Sequence, residues 1–159
     1  MEILTDEAKE RIQETLDDAF EYPDKVTSLQ SSLELHMFAT NWNWDNGTKE
    51  PLFRVIQDSR CDKGTALRLY WAGDPLYFYE TYANRDEVEE YHQQNYDLLK
   101  DIEKRLIGGF YTEQNICFDP HSDWIPGLTS SDNLKQHIPE VMLESTPGVK
   151  VEGEDEFYN

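Results

Sequence analysis

The chain has 159 residues, of which 38% are hydrophobic and 30% charged, and its 33 acidic against 14 basic side chains leave a formal charge of -19. That length supports one domain with a full hydrophobic core and requires neither metal nor disulfide staples. The composition excludes a wholly disordered chain, and no apolar run approaches the roughly 20 residues of a bilayer span.

The opening residues MEILTDEAKERIQ lack the basic start and apolar segment of a secretory signal, so the cytoplasm is the expected compartment. Cys61 and Cys117 are the only cysteines and suit reduced thiols. The charge is segregated. Residues 1–24 carry nine acidic and two basic side chains, residues 80–103 eight and two, and residues 140–159 six and one, whereas residues 25–79 hold six of each. Such a surface repels nucleic acid and anionic membrane and attracts basic partners.

In chain order, Thr5 or Asp6 caps a first helix whose apolar side is Ala8, Ile12, Leu16, Ala19 and Phe20. Pro23 interrupts it, and Thr27-Ser28-Leu29-Gln30 reads as a capping box opening a second helix, buried on more than one side, that carries Leu33, His36 and Met37. Asn43 to Gly47 is a turn. Pro51 starts a short helix running to about Gln57, and Asp62 caps another from Lys63 to Ala72, closed by Gly73. Asp74-Pro75 opens a further short helix. Asp86 is expected to cap the longest helix, Glu87 to Ile107, with Val88, Tyr91, Asn95, Leu98, Leu99, Ile102 and Leu106 inward and Gly108-Gly109 at its end.

After that the helical period fades. Residues 115–118 are the best strand candidate, and Val149-Lys150-Val151 is its candidate partner. A packed loop over Trp124 to Gly127 and short helices over Ser131 to His137 and Pro139 to Leu143 complete the pattern. The fold class is mainly α: a compact multi-helix single domain over residues 1–148 with at most a small C-terminal strand pair, followed by an acidic, mobile tail over 149–159.

The central region offers a possible pocket made of His36, Trp42, Trp44, Asp45, Cys61 and Asp62. His36, Asp45, Cys61, Asp62 and His121 are metal-ligand types, but their spacing matches no metal motif, so no metal or cofactor is expected. Cys61 with His36 has the types of a nucleophile and base, without a recognisable oxyanion loop, and no catalytic residue is assigned. The Gly64-Thr65 amides could hold a phosphate, in competition with the Asp62 cap. Trp42 and Trp44 have the types of a stacking platform, but with no basic cluster beside them they are read as anchors of a turn on the core.

Leu35-His36, Asn43-Trp44-Asp45, the run CDKGTAL from Cys61 to Leu67, Tyr70-Trp71 and Gly108 to Tyr111 together resemble the bacterial domain of unknown function 4274 family, over about residues 33–118. The resemblance implies a small helical bacterial domain and supplies no activity or site residues.

Charge carries the functional expectation: a non-enzymatic acidic binding protein, an immunity protein neutralising a basic toxin such as a nuclease. Its partner-binding faces are Glu10, Glu14, Asp17 and Asp18 on the first helix, and Glu87, Glu89 and Glu90 on the longest. The alternatives are acidity that only keeps the chain soluble, and a small cytosolic enzyme or ligand-binding domain that uses the central aromatic region.

Overall fold

The computed structural model describes residues 3–121 and 134–157. Among these, six α-helices follow one another: α1 (Asp6–Asp18), α2 (Ser32–Asn41), α3 (Glu50–Gln57), α4 (Lys63–Ala72), α5 (Pro75–Thr81) and α6 (Glu90–Ile107). Single 3₁₀ turns lie at Pro23–Ser28, Trp44–Asn46, Arg85–Glu87 and Glu140–Leu143. The described residues form no sheet. One parallel bridge joins Ile116 to Val149, between the two segments expected to pair.

Helices α2 and α4 make the centre. Every residue of α2 from Leu33 to Ala39 is buried, and α4 buries all but Lys63, Arg68 and Ala72, so neither has the single apolar stripe of a surface helix. They pack on each other; α1 covers α2, α6 covers α4, and α3 leans on the Pro23–Ser28 turn. Trp71 is 1% exposed, and its indole N–H donates to the Met142 carbonyl at 2.8 Å, which docks the last 3₁₀ turn on α4.

Four local expectations differ from the structure, each for a local reason. The second helix does not open at Thr27, because the Thr27 and Ser28 hydroxyls bond back to the Asp24 and Lys25 carbonyls and close a 3₁₀ turn. The effective cap is Ser31, whose hydroxyl accepts from Glu34 N at 3.1 Å, four residues further on. Phe20 is 58% exposed because α1 has already ended at Asp18. Asp86 does not cap the longest helix: residues 85–87 form a 3₁₀ turn, and the helix begins after Glu89. Tyr91, in its first turn, is 75% exposed, while Tyr96, Leu98, Leu99, Ile102 and Leu106 form the buried side. The Trp124 to Gly127 loop lies outside the described residues; of the Ser131 to His137 helix, residues 134–137 are described and are not helical.

The start of α4 is where the segment after α6 is tied to the helical body. Asp62 is fully buried, and its carboxylate accepts from Gly64 N at 2.9 Å, Asn115 N at 2.8 Å and Ile116 N at 3.2 Å. Lys63 N donates to the Glu113 carbonyl at 2.8 Å. Residues 113–116 therefore cross directly over the helix start, so closely that a Cβ on Gly64 would lie 2.0 Å from the Ile116 carbonyl oxygen. Thr146 locks the same strip from the other side, accepting from Phe118 N and donating to the Ile116 carbonyl, each at 2.8 Å.

Because Gly64 meets backbone rather than a side chain that could yield, Gly64→Ala should cost roughly 1–3 kcal/mol, toward the upper end. Trp71→Ala should cost about 3–5 kcal/mol. Trp44, only half-buried, should tolerate truncation far better. Urea unfolding of the three variants checks the order.

Candidate functional site

The polar centre of the fold is built on His36. In α2 it faces α4, and its ring is held at both nitrogens: Nδ1 lies 2.8 Å from the Thr65 hydroxyl and Nε2 lies 2.9 Å from Glu154 Oε1. A carboxylate only accepts, so Nε2 carries a proton, and in the neutral ring Nδ1 accepts from Thr65. The second Glu154 oxygen pairs with the Arg68 guanidinium. Asn41 Nδ2 donates to the main-chain carbonyl of Glu154 at 2.6 Å. The acidic segment read from sequence as a mobile tail is thus bonded to the helical body here, and Lys9 pairs with Glu156 at 3.3 Å nearby.

Burial of the Glu154 carboxyl acts to raise its pKa. The hydrogen bond and charge of His36, followed by the charge and hydrogen bond of Arg68, outweigh it and hold the group below the ordinary glutamate value of 4.5.

The residues expected to share a pocket differ in burial, and each has its own partners. Cys61 is fully buried, its thiol directed to the Asp62 carbonyl at 3.6 Å; burial, then the nearby Asp62 and Asp58 charges, push its pKa far up, which suppresses the thiolate a nucleophile needs. Asp62 is occupied by three amides. Trp42 is a core residue whose indole N–H donates to the Thr48 carbonyl at 3.1 Å. Trp44 sits half-buried under Lys49, whose ammonium lies 5.6 Å from its ring centre, and Asp45 is exposed. The Gly64 amide is taken by Asp62, and Thr65 serves His36. His121 is exposed, and among the described residues no three of His, Cys, Asp and Glu are grouped to hold a metal ion. A cleft of about 380 Å³ opens instead beside the start of α2, lined by Ser31, Ser32, Arg60, Asp62, Glu113 and Asn115 among others.

Three buried or half-buried acids escaped the sequence reading. Glu103 accepts from the Tyr70 hydroxyl at 2.6 Å and from the Tyr79 hydroxyl, with Lys100 at 3.6 Å; burial and this carboxylate raise both tyrosine pKa values. Glu34 takes a two-pronged bond from Arg11 at 2.7 and 3.0 Å. For Glu103 a signal existed: it stands one turn after Leu99 on the inward stripe of α6. For Glu154, 86 residues from Arg68, there was none.

The acids expected to meet a partner lie outside. Glu10, Glu14 and Asp17 are exposed on α1, and Asp18 is half-buried and paired with Lys25 at 2.5 Å. Glu87, Glu89 and Glu90 are exposed at the start of α6. Each acidic face adjoins exposed aromatic residues that the sequence reading did not assign to it. Phe20 and Tyr22, 58% and 57% exposed, follow α1. Tyr77 and Tyr91, 41% and 75% exposed, lie beside the three glutamates, and both ring systems contact His92, at 6.0 and 4.2 Å.

Residues 30–107 match the model of a family described as Domain of unknown function (DUF4274), which spans α2 to the end of α6. No curated protein and no solved structure matches the chain. Among the described residues, no helix is long and apolar enough to cross a membrane.

Because the folded pKa of Glu154 lies below its unfolded value, the stability it contributes is fully present above about pH 4.5 and disappears as pH falls through the folded value. Wild type should exceed Glu154→Gln by about 1–3 kcal/mol at pH 5.5, with the gap closing toward pH 3. Urea denaturation of both proteins across that range gives the difference directly.

Proposed function

We propose that this chain, which belongs to the DUF4274 family through residues 30–107, is a non-enzymatic acidic binding protein that neutralises a basic protein, an immunity protein against a cognate toxin such as a nuclease. The observation that carries the reading is the coincidence of exposed tyrosines with exposed glutamates at the start of α6. Acidity needed only for solubility calls for no accompanying apolar surface. A docking face does, because charge steers encounter while aromatic area holds the complex. Tyr77 and Tyr91 are exposed and both rings meet His92, close in sequence to Glu87, Glu89 and Glu90, and Glu89 acts to raise the Tyr91 pKa. An arginine or lysine side chain from a partner would find a carboxylate and a ring face together there.

The α1 face supports the same reading. Glu10, Glu14, Asp17 and Asp18 lead to Phe20 and Tyr22, so a second acidic strip also ends in aromatic area. A nuclease must offer a positive cleft to phosphate, and a body of charge -19 is attracted to such a cleft over distances set by the ionic strength. The cytoplasm, where a self-protecting inhibitor would meet its toxin, remains part of this proposal.

The test starts from basic proteins recovered from the native host at low salt, each assayed for nuclease or other toxic activity with and without one equivalent of this protein. Replacing Glu87, Glu89 and Glu90 with glutamine should slow association about tenfold at low salt. Tyr91→Ala should speed dissociation about tenfold. Both variants should fold as wild type does. A recovered partner that keeps full activity, or whose kinetics ignore both variants and the α1 acids, would remove the basis for the proposal.

A further inference from the structure

In a chain with 33 acidic and 14 basic side chains, a point where an imidazole N–H and a guanidinium converge on one carboxylate from different helices stands apart from the acidic surface. His36 from α2 and Arg68 from α4 make that point, with Asn41 at the end of α2 beside them. All three are donors, and all three are directed at one residue. His36 and Arg68 take the two oxygens of the Glu154 side chain, while Asn41 takes its main-chain carbonyl. His36 is 1% exposed, and its other nitrogen is fixed on Thr65, so the body itself sets the ring's orientation. Reading a carboxylate and the peptide carbonyl of the same residue is the chemistry of peptide recognition rather than of general surface charge pairing.

The occupant has other contacts: Val149 donates to the Asn115 carbonyl at 3.0 Å and accepts from Cys117 N at 2.9 Å, Val151 and Phe157 pack partly buried on the core, and the Lys9–Glu156 pair has both side chains about half exposed. Exposed pairs of that kind contribute little. Tethering adds to these contacts, because a short covalent link supplies an effective concentration of the order of millimolar.

We propose that His36, Arg68 and Asn41 form a recognition site for a glutamate within an acidic peptide, and that residues 149–157 of the chain occupy it as a tethered competitor. The site takes a ligand of the opposite charge to the basic toxin and uses none of the exposed acids assigned to that partner, so either proposal can fail without the other.

The full-length protein tests this with a labelled synthetic peptide spanning residues 149–157, its binding followed by fluorescence anisotropy and the His36 ring followed by NMR. Glu154→Ala, which removes the tethered carboxylate, should bind the peptide at least tenfold more tightly than wild type and shift the His36 resonances on binding. The same peptide with glutamine in place of Glu154 should bind Glu154→Ala at least tenfold more weakly, and adding Arg68→Gln to the protein should abolish the gain. Asp155→Asn, an exposed change one residue away, should behave as wild type. Equal binding of the peptide to wild type and Glu154→Ala would overturn the proposal, as would indifference to the glutamine in the peptide. The peptide substitution needs only the single Glu154→Ala variant, so a double variant that fails to fold does not leave the question open.

Discussion

The arrangement rests on a buried carboxylate that makes no ion pair among the described residues. Asp62 is fully buried and is stabilised by three backbone amides, one from its own helix and two from residues 115–116, with the positive end of the α4 dipole behind them. Burying such a group without partners would cost several kcal/mol, so the amides and the carboxylate hold each other in place. Once the segment after α6 is pinned across the start of α4, Gly64 must lack a side chain, and Thr65 is set one residue further along to face His36. The motif CDKGTAL is therefore a packing device: a buried thiol, a cap that reaches across to another segment, a glycine that lets backbone approach, and a hydroxyl that orients a histidine.

Electrostatics in this chain divides by depth. Arg11 with Glu34, Arg68 with Glu154 and Lys100 with Glu103 are all pairs in which the acid is at most about a quarter exposed. In such places water screens little and the acids are also hydrogen-bonded, so the pairs organise the interior. Basic side chains engaged there are unavailable to balance the outer faces of α1 and α6. The exposed surface presents its acids with correspondingly little local compensation, which favours long-range attraction of a cationic body over short-range pairing within the chain.

That division also relates the two proposals. The outer acids act at range and on encounter, and the aromatic residues beside them supply contact area. The His36 site acts only at contact, on one residue at a time, and is occupied by the chain itself. On the two proposals, recognition chemistry of both signs would belong to one small helical body, the inward helices α2 and α4 supplying one and the exposed acids of α1 and the start of α6 the other.

What could be read from the residues alone was whatever depends on near neighbours. The mainly helical class, the Thr5 and Asp62 caps, the Pro51 and Pro75 helix starts and the span of α4 all follow from side chains within four positions of the backbone groups they serve. The same locality explains the misses. At Thr27 and Ser28 the hydroxyls bond back into a 3₁₀ turn and leave Ser31 to cap α2, and residues 85–87 form a 3₁₀ turn, so that α6 begins only after Glu89. The polar centre was legible only in part: His36 could be singled out as a histidine on an apolar helix, and Asp62 as a cap. That Asp62 also holds residues 115–116, and that Glu154 reaches His36 across more than a hundred positions, was decided by tertiary structure. A charged group carries no mark of which distant opposite charge it will meet, because that choice depends on how the helices stack and not on any spacing along the chain.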